Sequence, residues 1–328
     1  MLLYQSQIIY TIIIFWPPFR GEMPQAKGVI SMNLIKPNKL KKGDTIAIIA
    51  PAGSVEEDKI LNSVKYFESL GYKIKLGNNI FKSDRYLAGS DNDRLEDLHN
   101  NFEDKEVNAI FCARGGYGAI RLVNKIDYEL IINNPKIFCG YSDITALSLM
   151  FLKKTGLITY SAPMAKGDFQ PDNIDKFTEN NFWSALTNDS LTITAHNLKT
   201  YKSGEAQGIL WGGNLATVCS LCGIDFIPDE KFIFFAEDLN EPVYKIDRSF
   251  RQLLNIDKFR HNISAIVLGD FLGVDEYKDQ LDALFNEIAQ ELNIPIYGGY
   301  QITHDRPKVT VPIGAIGQLN DGILEIRD

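Results

Sequence analysis

Short apolar runs rich in β-branched residues alternate along most of this chain with longer segments whose apolar positions recur at helical spacing. From Asp44 onward the rhythm predicts strands at Thr45 to Pro51, Tyr72 to Leu76 and Asn108 to Ala113, with helices at Val55 to Leu70 and Asp91 to Phe102 between them. In the second helix Leu95, Leu98 and Phe102 share one stripe. The run Lys136 to Leu147 closes a third such unit: it breaks at Gly140, presents Ser142 and passes straight into a helix-like segment. Residues 161 to 203 lose the rhythm and read as a connector. Beyond it, strands are expected at Phe232 to Ala236, Ile263 to Leu268 and Pro295 to Tyr297, and helices at Tyr244 to Leu254 and Gln280 to Leu292. Val309 to Ile313 and Gly322 to Ile326 are expected to finish as an antiparallel pair. The fold class is therefore α/β: an N-terminal, mostly parallel sheet with flanking helices and a nucleophile elbow, then a smaller C-terminal α/β domain with mixed strands. The expected divisions are an extension over 1–31, an N-terminal domain over 32–165, a connector over 166–203 and a C-terminal domain over 204–328.

With 328 residues and 45% apolar composition the chain can bury an ample core. A net charge of -8 without a dense Lys/Arg cluster argues against a nucleic-acid surface; the lysines of Lys36 to Lys42 read as a solvated strand edge. Ile8 to Phe19 is apolar but interrupted by Pro17-Pro18, shorter than the roughly 20 residues of a membrane span, and without a basic flank or cleavage site. Residues 1–31 thus read as a disordered extension or misassigned start rather than a stable membrane insertion, with a weak interfacial anchor as the rival. The cysteines Cys112, Cys139, Cys219 and Cys222 lie in apolar runs, as reduced buried residues do, which suits a reducing compartment. Cys219 and Cys222 have metal-ligand spacing but lack a second ligand pair, so no metal is expected there.

A serine on a sharp strand-to-helix turn is lifted clear of the sheet, and N–H groups at the start of the next helix are free to face an oxyanion. Ser142 stands at such a turn, although Ile144 replaces the second glycine of G-x-S-x-G, and a helix N-cap serine would occupy the same place. A serine hydroxyl attacks only when a base takes its proton and an acid orients that base. His99, His196 and His261 read as surface residues, whereas His304 follows a strand and Gly298-Gly299 in a loop position suited to a base. Glu237 or Asp238, at the end of the strand Phe232 to Ala236, is the natural acid, since site groups of parallel sheets gather at strand ends. Arg114-Gly115-Gly116-Tyr117-Gly118 follows another strand; its glycines admit a close ligand and its N–H groups suit an oxyanion or a carboxylate.

Together, Ile49-Ala50-Pro51-Ala52-Gly53, Tyr86-Leu87-Ala88-Gly89 with Arg94, Ala113 to Gly118, Gly140 to Thr145, Gly212-Gly213-Asn214-Leu215, Glu237-Asp238 with Tyr244 to Arg248, and His304 before Pro312-Ile313-Gly314 resemble the serine LD-carboxypeptidases. That is the family of muramoyltetrapeptide carboxypeptidase and the microcin C immunity peptidase. The resemblance runs from about Ile35 to Asp328 and leaves 1–31 uncovered. It implies a two-domain serine peptidase, usually a cytoplasmic homodimer without a cofactor, whose Ser-His-Glu triad spans both domains. By position Ser142 would be nucleophile, His304 base and Glu237 its orienter, with the N–H groups of Gly116 and Asp143 as oxyanion hole. Gly115, Arg114 and Arg248 are the expected substrate contacts. The implied substrate is a murein tetrapeptide, or a related small peptide, losing terminal D-Ala from an L-configured diamino acid residue in cell-wall recycling. The alternatives are hydrolysis of a peptidyl-nucleotide of the microcin C type, for which Trp183 is the aromatic candidate, a non-catalytic module binding a small carboxylate, and a thiol nucleophile at Cys139. Thr303 stands before His304 where the family commonly has glycine, and Ser161 to Met164 replaces a Gly-Pro pairing.

Overall fold

Strands Thr45–Ile49, Val107–Cys112 and Ile137–Cys139 are almost wholly buried, the condition of a parallel sheet covered on both faces by crossover helices. The computed structural model describes residues 33–327, so the expectations for 1–31 lie outside the described residues. The first sheet has the order Val311–Ile313, Thr159–Ser161, Ile137–Cys139, Val107–Cys112, Thr45–Ile49, Lys73–Leu76. All neighbours in it are parallel except Val311–Ile313 against Thr159–Ser161. Helix Asp91–Glu103 opens on a capping box, in which the Ser90 hydroxyl accepts from Asp93 N and the Asp93 carboxylate accepts from Ser90 N. It buries Leu95, Leu98 and Phe102, the stripe read from the sequence.

The second sheet has eight strands, with Glu205–Asn214, Phe232–Leu239, Ile263–Leu272 and Ile296–Gly298 parallel at its centre. Trp211 fills its core, its ring centre 5.0 Å from that of Phe232 and 5.6 Å from that of Phe226. Helices Val243–Leu254 and Lys278–Leu292 agree with the helices expected at Tyr244 to Leu254 and Gln280 to Leu292. The α/β architecture is thus the one expected.

Local expectations differ in two places. Val309 to Ile313 and Gly322 to Ile326 do not pair with each other. Ile323–Arg327 pairs instead with Ile316–Asn320 across Asp321-Gly322, both at positive φ (45° and 78°), the conformation that a two-residue hairpin with right-handed strand twist demands. Val311–Ile313 crosses to the edge of the first sheet. The stretch 166–203 carries the helix Lys176–Thr187 and the strands Ser190–Thr194 and Lys199–Lys202, which form the two edges of the second sheet. Edge strands meet water on an open side, so their polar composition resembles that of a loop.

Candidate active site

Strand Ile137–Cys139 ends at Gly140, where an added Cβ would lie 2.8 Å from Ile144 Cγ2 and 3.1 Å from Cys112 Cβ; only glycine lets the chain turn so tightly against its neighbours. The turn leaves Ser142 in the left-handed region at φ 62°, a conformation that costs a non-glycine residue free energy and that a packed surround must hold. A short 3-10 turn over Ser142–Ile144 then leads into helix Thr145–Thr155. Gly115 closes on the serine from the neighbouring strand end. A Cβ there would sit 2.8 Å from Ser142 Cβ, 3.0 Å from its Oγ and 3.3 Å from Asp143 N. The glycine loop is fixed from behind by the buried Arg94, whose Nη1 donates to Pro51 O and Gly118 O at 2.8 Å each. Gly115→Ala is expected to keep the chain folded and to lower turnover by at least about 100-fold by displacing the hydroxyl. Activity measured beside the thermal transition checks this.

From the second sheet, Glu237 Oε2 meets His304 Nδ1 at 2.6 Å, with the carboxylate buried and the imidazole partly open. Burial pushes the Glu237 carboxyl up, and the contact with His304 opposes that shift. Successive strand residues face opposite ways, so Asp238 turns elsewhere. Its Oδ1 accepts from Asn214 Nδ2 and Leu239 N, and its Oδ2 from Ala216 N. The choice between the two acids is thereby made by contact: Glu237 reaches the histidine and Asp238 braces the turn after Asn214. Thr303, at the place commonly glycine, accepts from Asp305 N through its hydroxyl at 3.1 Å and so shapes the histidine loop.

Ser142, Asp143, Gly116, Tyr117, Asn214 and His304 line one open cleft of about 350 Å³. Glu237 supports it from beneath the imidazole. Arg114 is half-buried, its Nη1 donating to Ser54 O at 3.2 Å and its Nη2 3.2 Å from where a Gly116 Cβ would stand. Arg248 is exposed on Val243–Leu254 and does not line the cleft. Among the other histidines, His99 accepts from Asp127 N at 3.1 Å, while His196 and His261 are exposed. Cys139 is buried inside its strand and burial raises its thiol far above the ordinary value, which removes it as a nucleophile. Asn214 had no role assigned from sequence. The signal for it is the preceding pair: Gly212 at φ 146° and Gly213 at φ 144° leave no room for a Cβ, which would meet Phe235 O at 1.9 Å and Thr145 Cγ2 at 2.6 Å. That tight approach delivers Asn214 to the cleft.

Asp143, next to the serine, is buried and accepts from Ala119 N at 2.8 Å. Burial outweighs these donors and the charge of Arg94 and pushes its carboxyl up to about 6. A folded value above the unfolded one means that the native chain holds the extra proton between them. The associated stability is full below the unfolded value and lost as pH rises through about 6. Between about pH 4 and 7 the protein is expected to lose about 3 kcal/mol relative to Asp143→Asn. Urea midpoints across that range, compared between the two, would show it.

A serine at a left-handed elbow after a strand of the first sheet shares one cleft with a histidine held by a carboxylate of the second sheet, in a two-sheet α/β protein. Residues 46–162 match the LD-carboxypeptidase N-terminal domain and residues 207–319 the LD-carboxypeptidase C-terminal domain. The chain belongs to that peptidase family. A Bacillus subtilis protein named probable murein peptide carboxypeptidase is 36% identical over 301 residues, covering 90% of this chain and 94% of that one. The Escherichia coli microcin C7 self-immunity protein MccF is 28% identical over 311 residues, covering 84% and 90%. The crystal structure of an MccF-like protein from Bacillus anthracis superposes with a TM-score of 0.84 at 29% identity, over 89% of this chain and 99% of that one.

Proposed function

We propose that this chain is a serine LD-carboxypeptidase that releases terminal D-Ala from murein tetrapeptide, acting as a cytoplasmic homodimer in cell-wall recycling. The observation that carries the reading is the 2.6 Å His304 to Glu237 contact, with His304 and Ser142 lining the same cleft. Ser142 Oγ attacks the carbonyl carbon of the L-configured diamino acid residue while His304 takes the hydroxyl proton. The tetrahedral oxyanion is held by the N–H groups of Gly116 and Asp143 at the elbow. His304 then hands its proton to the D-Ala amine as the peptide bond breaks, leaving an acyl-serine that water, deprotonated by the same imidazole, releases. Glu237 stabilises the imidazolium without taking the proton. The glycine loop receives the substrate carboxylate, with Arg114 Nη2 3.2 Å from where a Gly116 Cβ would stand; Arg248, exposed on Val243–Leu254, is left as a surface residue.

The tetrapeptide is preferred over a peptidyl-nucleotide because the aromatic residue expected to stack a base is engaged elsewhere. Trp183 lies on the Tyr72 ring at 5.0 Å with an 8° interplanar angle, and its indole N–H donates to Tyr66 Oη at 3.1 Å. Support also comes from the name and 36% identity of the Bacillus subtilis relative. The test is to incubate the protein with tetrapeptide and, separately, with an aspartyl-adenylate amide and follow both by mass. Loss of alanine from the tetrapeptide, with the adenylate amide intact, is expected. The reverse pattern would replace the reading with the nucleotide one, and retention of ligand by Ser142→Ala with no turnover by the native chain would favour a binding module.

A further inference from the structure

A buried ammonium lies in the histidine loop, outside the lining of the cleft. Lys308 is 3% exposed, and its Nζ sits 3.0 Å from Asp168 Oδ1 and 4.0 Å from the centre of the Tyr141 ring. The Tyr141 ring in turn meets the His304 imidazole edge to face, 5.1 Å between centres. The loop around Lys308 is tied to residues 167–181, far away in the chain. Lys308 N donates to Thr178 Oγ1 at 2.9 Å, Thr310 N to Asn181 Oδ1 at 2.6 Å, and Arg306 Nη2 to Gly167 O at 2.9 Å. Lys308 therefore cannot swing out to solvent.

An ammonium carries three N–H donors. Asp168 faces it as an ion pair at 3.0 Å and the π face of Tyr141 attracts it from 4.0 Å. The remaining direction meets a cavity of about 10 Å³ whose lining includes Lys308, Glu237, Tyr141, Ser161 and Thr303. That is space for about one water, among polar partners enough to hold it. On the far wall stands the carboxylate that braces His304. Burying a lysine is costly, and Asp168 offsets the cost only as a salt bridge; a leucine would fill the same space without it. The charge itself is what the site gains.

We propose that Lys308 is a positioning residue for the Glu237 and His304 pair: anchored on Asp168, it seats Tyr141 against the imidazole and keeps Glu237 ionised through one bridging water. The inference rests on the roles given to Glu237 and His304 above. The charged and titratable groups around the pair are Tyr141 from the elbow, Lys308, Asp305 and Arg306 from the histidine loop, Asp238 beside Glu237 on its own strand, and Asp143 in the cleft lining. Asp168 stands behind Lys308, with Arg306 Nε 3.8 Å from its Oδ1. Removing the ammonium raises the proton affinity of the pair whichever partner holds the proton.

The test is the pH titration of the His304 ring signals by NMR in the native protein, Lys308→Met, Lys308→Arg and Asp168→Asn. In Lys308→Met the midpoint is expected to rise by roughly 0.5–1 pH unit, with the acid limb of kcat/KM moving by the same amount and kcat falling by about 10-fold or more at unchanged KM. Lys308→Arg restores the native midpoint. Asp168→Asn, which leaves the ammonium unopposed, moves it the other way and tests the proposal even if Lys308→Met fails to fold. A folded Lys308→Met or Asp168→Asn with an unmoved midpoint overturns it. Because the titration needs no substrate, failure to cleave tetrapeptide would sink the proposed substrate and leave this result readable by itself.

Discussion

Ser142→Ala is expected to lower kcat/KM by roughly 10⁴- to 10⁶-fold, since the other aliphatic hydroxyls lining the cleft, Thr217 and Ser220, donate to Asn214 Oδ1 and Thr217 O and have no carboxylate-backed histidine as base. Cys139, at the end of the strand before the turn, is fully buried, and burial raises its thiol well above the ordinary value. The residual activity would be what the oxyanion donors give to bulk water. Stability offers an independent reading of the same residue. Ser142 sits at φ 62°, and alanine keeps that strain while glycine relieves it. Ser142→Gly should therefore be as inactive as Ser142→Ala but more stable than it by about 0.5–1 kcal/mol, part of the relief being offset by the greater freedom of glycine in the unfolded chain. Urea unfolding of the two variants beside steady-state assays measures both effects. A hydroxyl placed there for packing or helix capping would give small losses of activity in either variant, and that result would remove the serine mechanism.

The elements that the sequence made legible are those in which local chemistry and tertiary demand agree. The stripe of Leu95, Leu98 and Phe102 is what a helix needs to cover a sheet, and it is buried as read. Gly140, Gly115 and Gly116 announced close approaches, and each makes one: Gly140 to Ile144 and Cys112, Gly115 to Ser142, and Gly116 to the Arg114 guanidinium. What stayed hidden depends on partners distant in the chain. Val311–Ile313 has the composition of any short strand, and its choice of Thr159–Ser161 over the nearby hairpin is made by the Asp321-Gly322 turn claiming the other candidate. Glu237 and Asp238 are indistinguishable as adjacent acids at a strand end, and the pleat alone sends one to His304 and the other to Asn214. Lys308 gives no signal in sequence at all, because a lysine after Pro307 reads as surface; burial against Asp168 becomes visible only when the loop is folded over 164–181.

Glu237→Gln is expected to reduce kcat by roughly 10³- to 10⁴-fold while leaving the protein at least as stable as before. The two halves of this expectation come from one fact, the burial of the carboxylate. Burial raises its proton affinity, so holding it ionised costs folding free energy, and a neutral amide of the same shape escapes that cost. Linkage has the corresponding sign: with the folded value raised, the contribution is lost as pH rises through it, and the glutamine variant should show a flatter stability profile on the alkaline side. In turnover the charge acts the other way. His304 Nδ1 lies 2.6 Å from Glu237 Oε2, and when the imidazole accepts the serine proton an anion at that distance stabilises the cation, whereas an amide oxygen offers only a dipole and its NH2 end favours the wrong tautomer. Asp238→Asn is the matched control. It alters the acid that accepts from Asn214, Leu239 and Ala216, so stability should fall by about 1 kcal/mol with turnover changed far less than in Glu237→Gln. Activity and unfolding midpoints for both variants decide the assignment: a catalytic orienter loses rate without losing stability, a brace loses stability first, and the opposite ranking of the two acids would transfer the orienting role to Asp238.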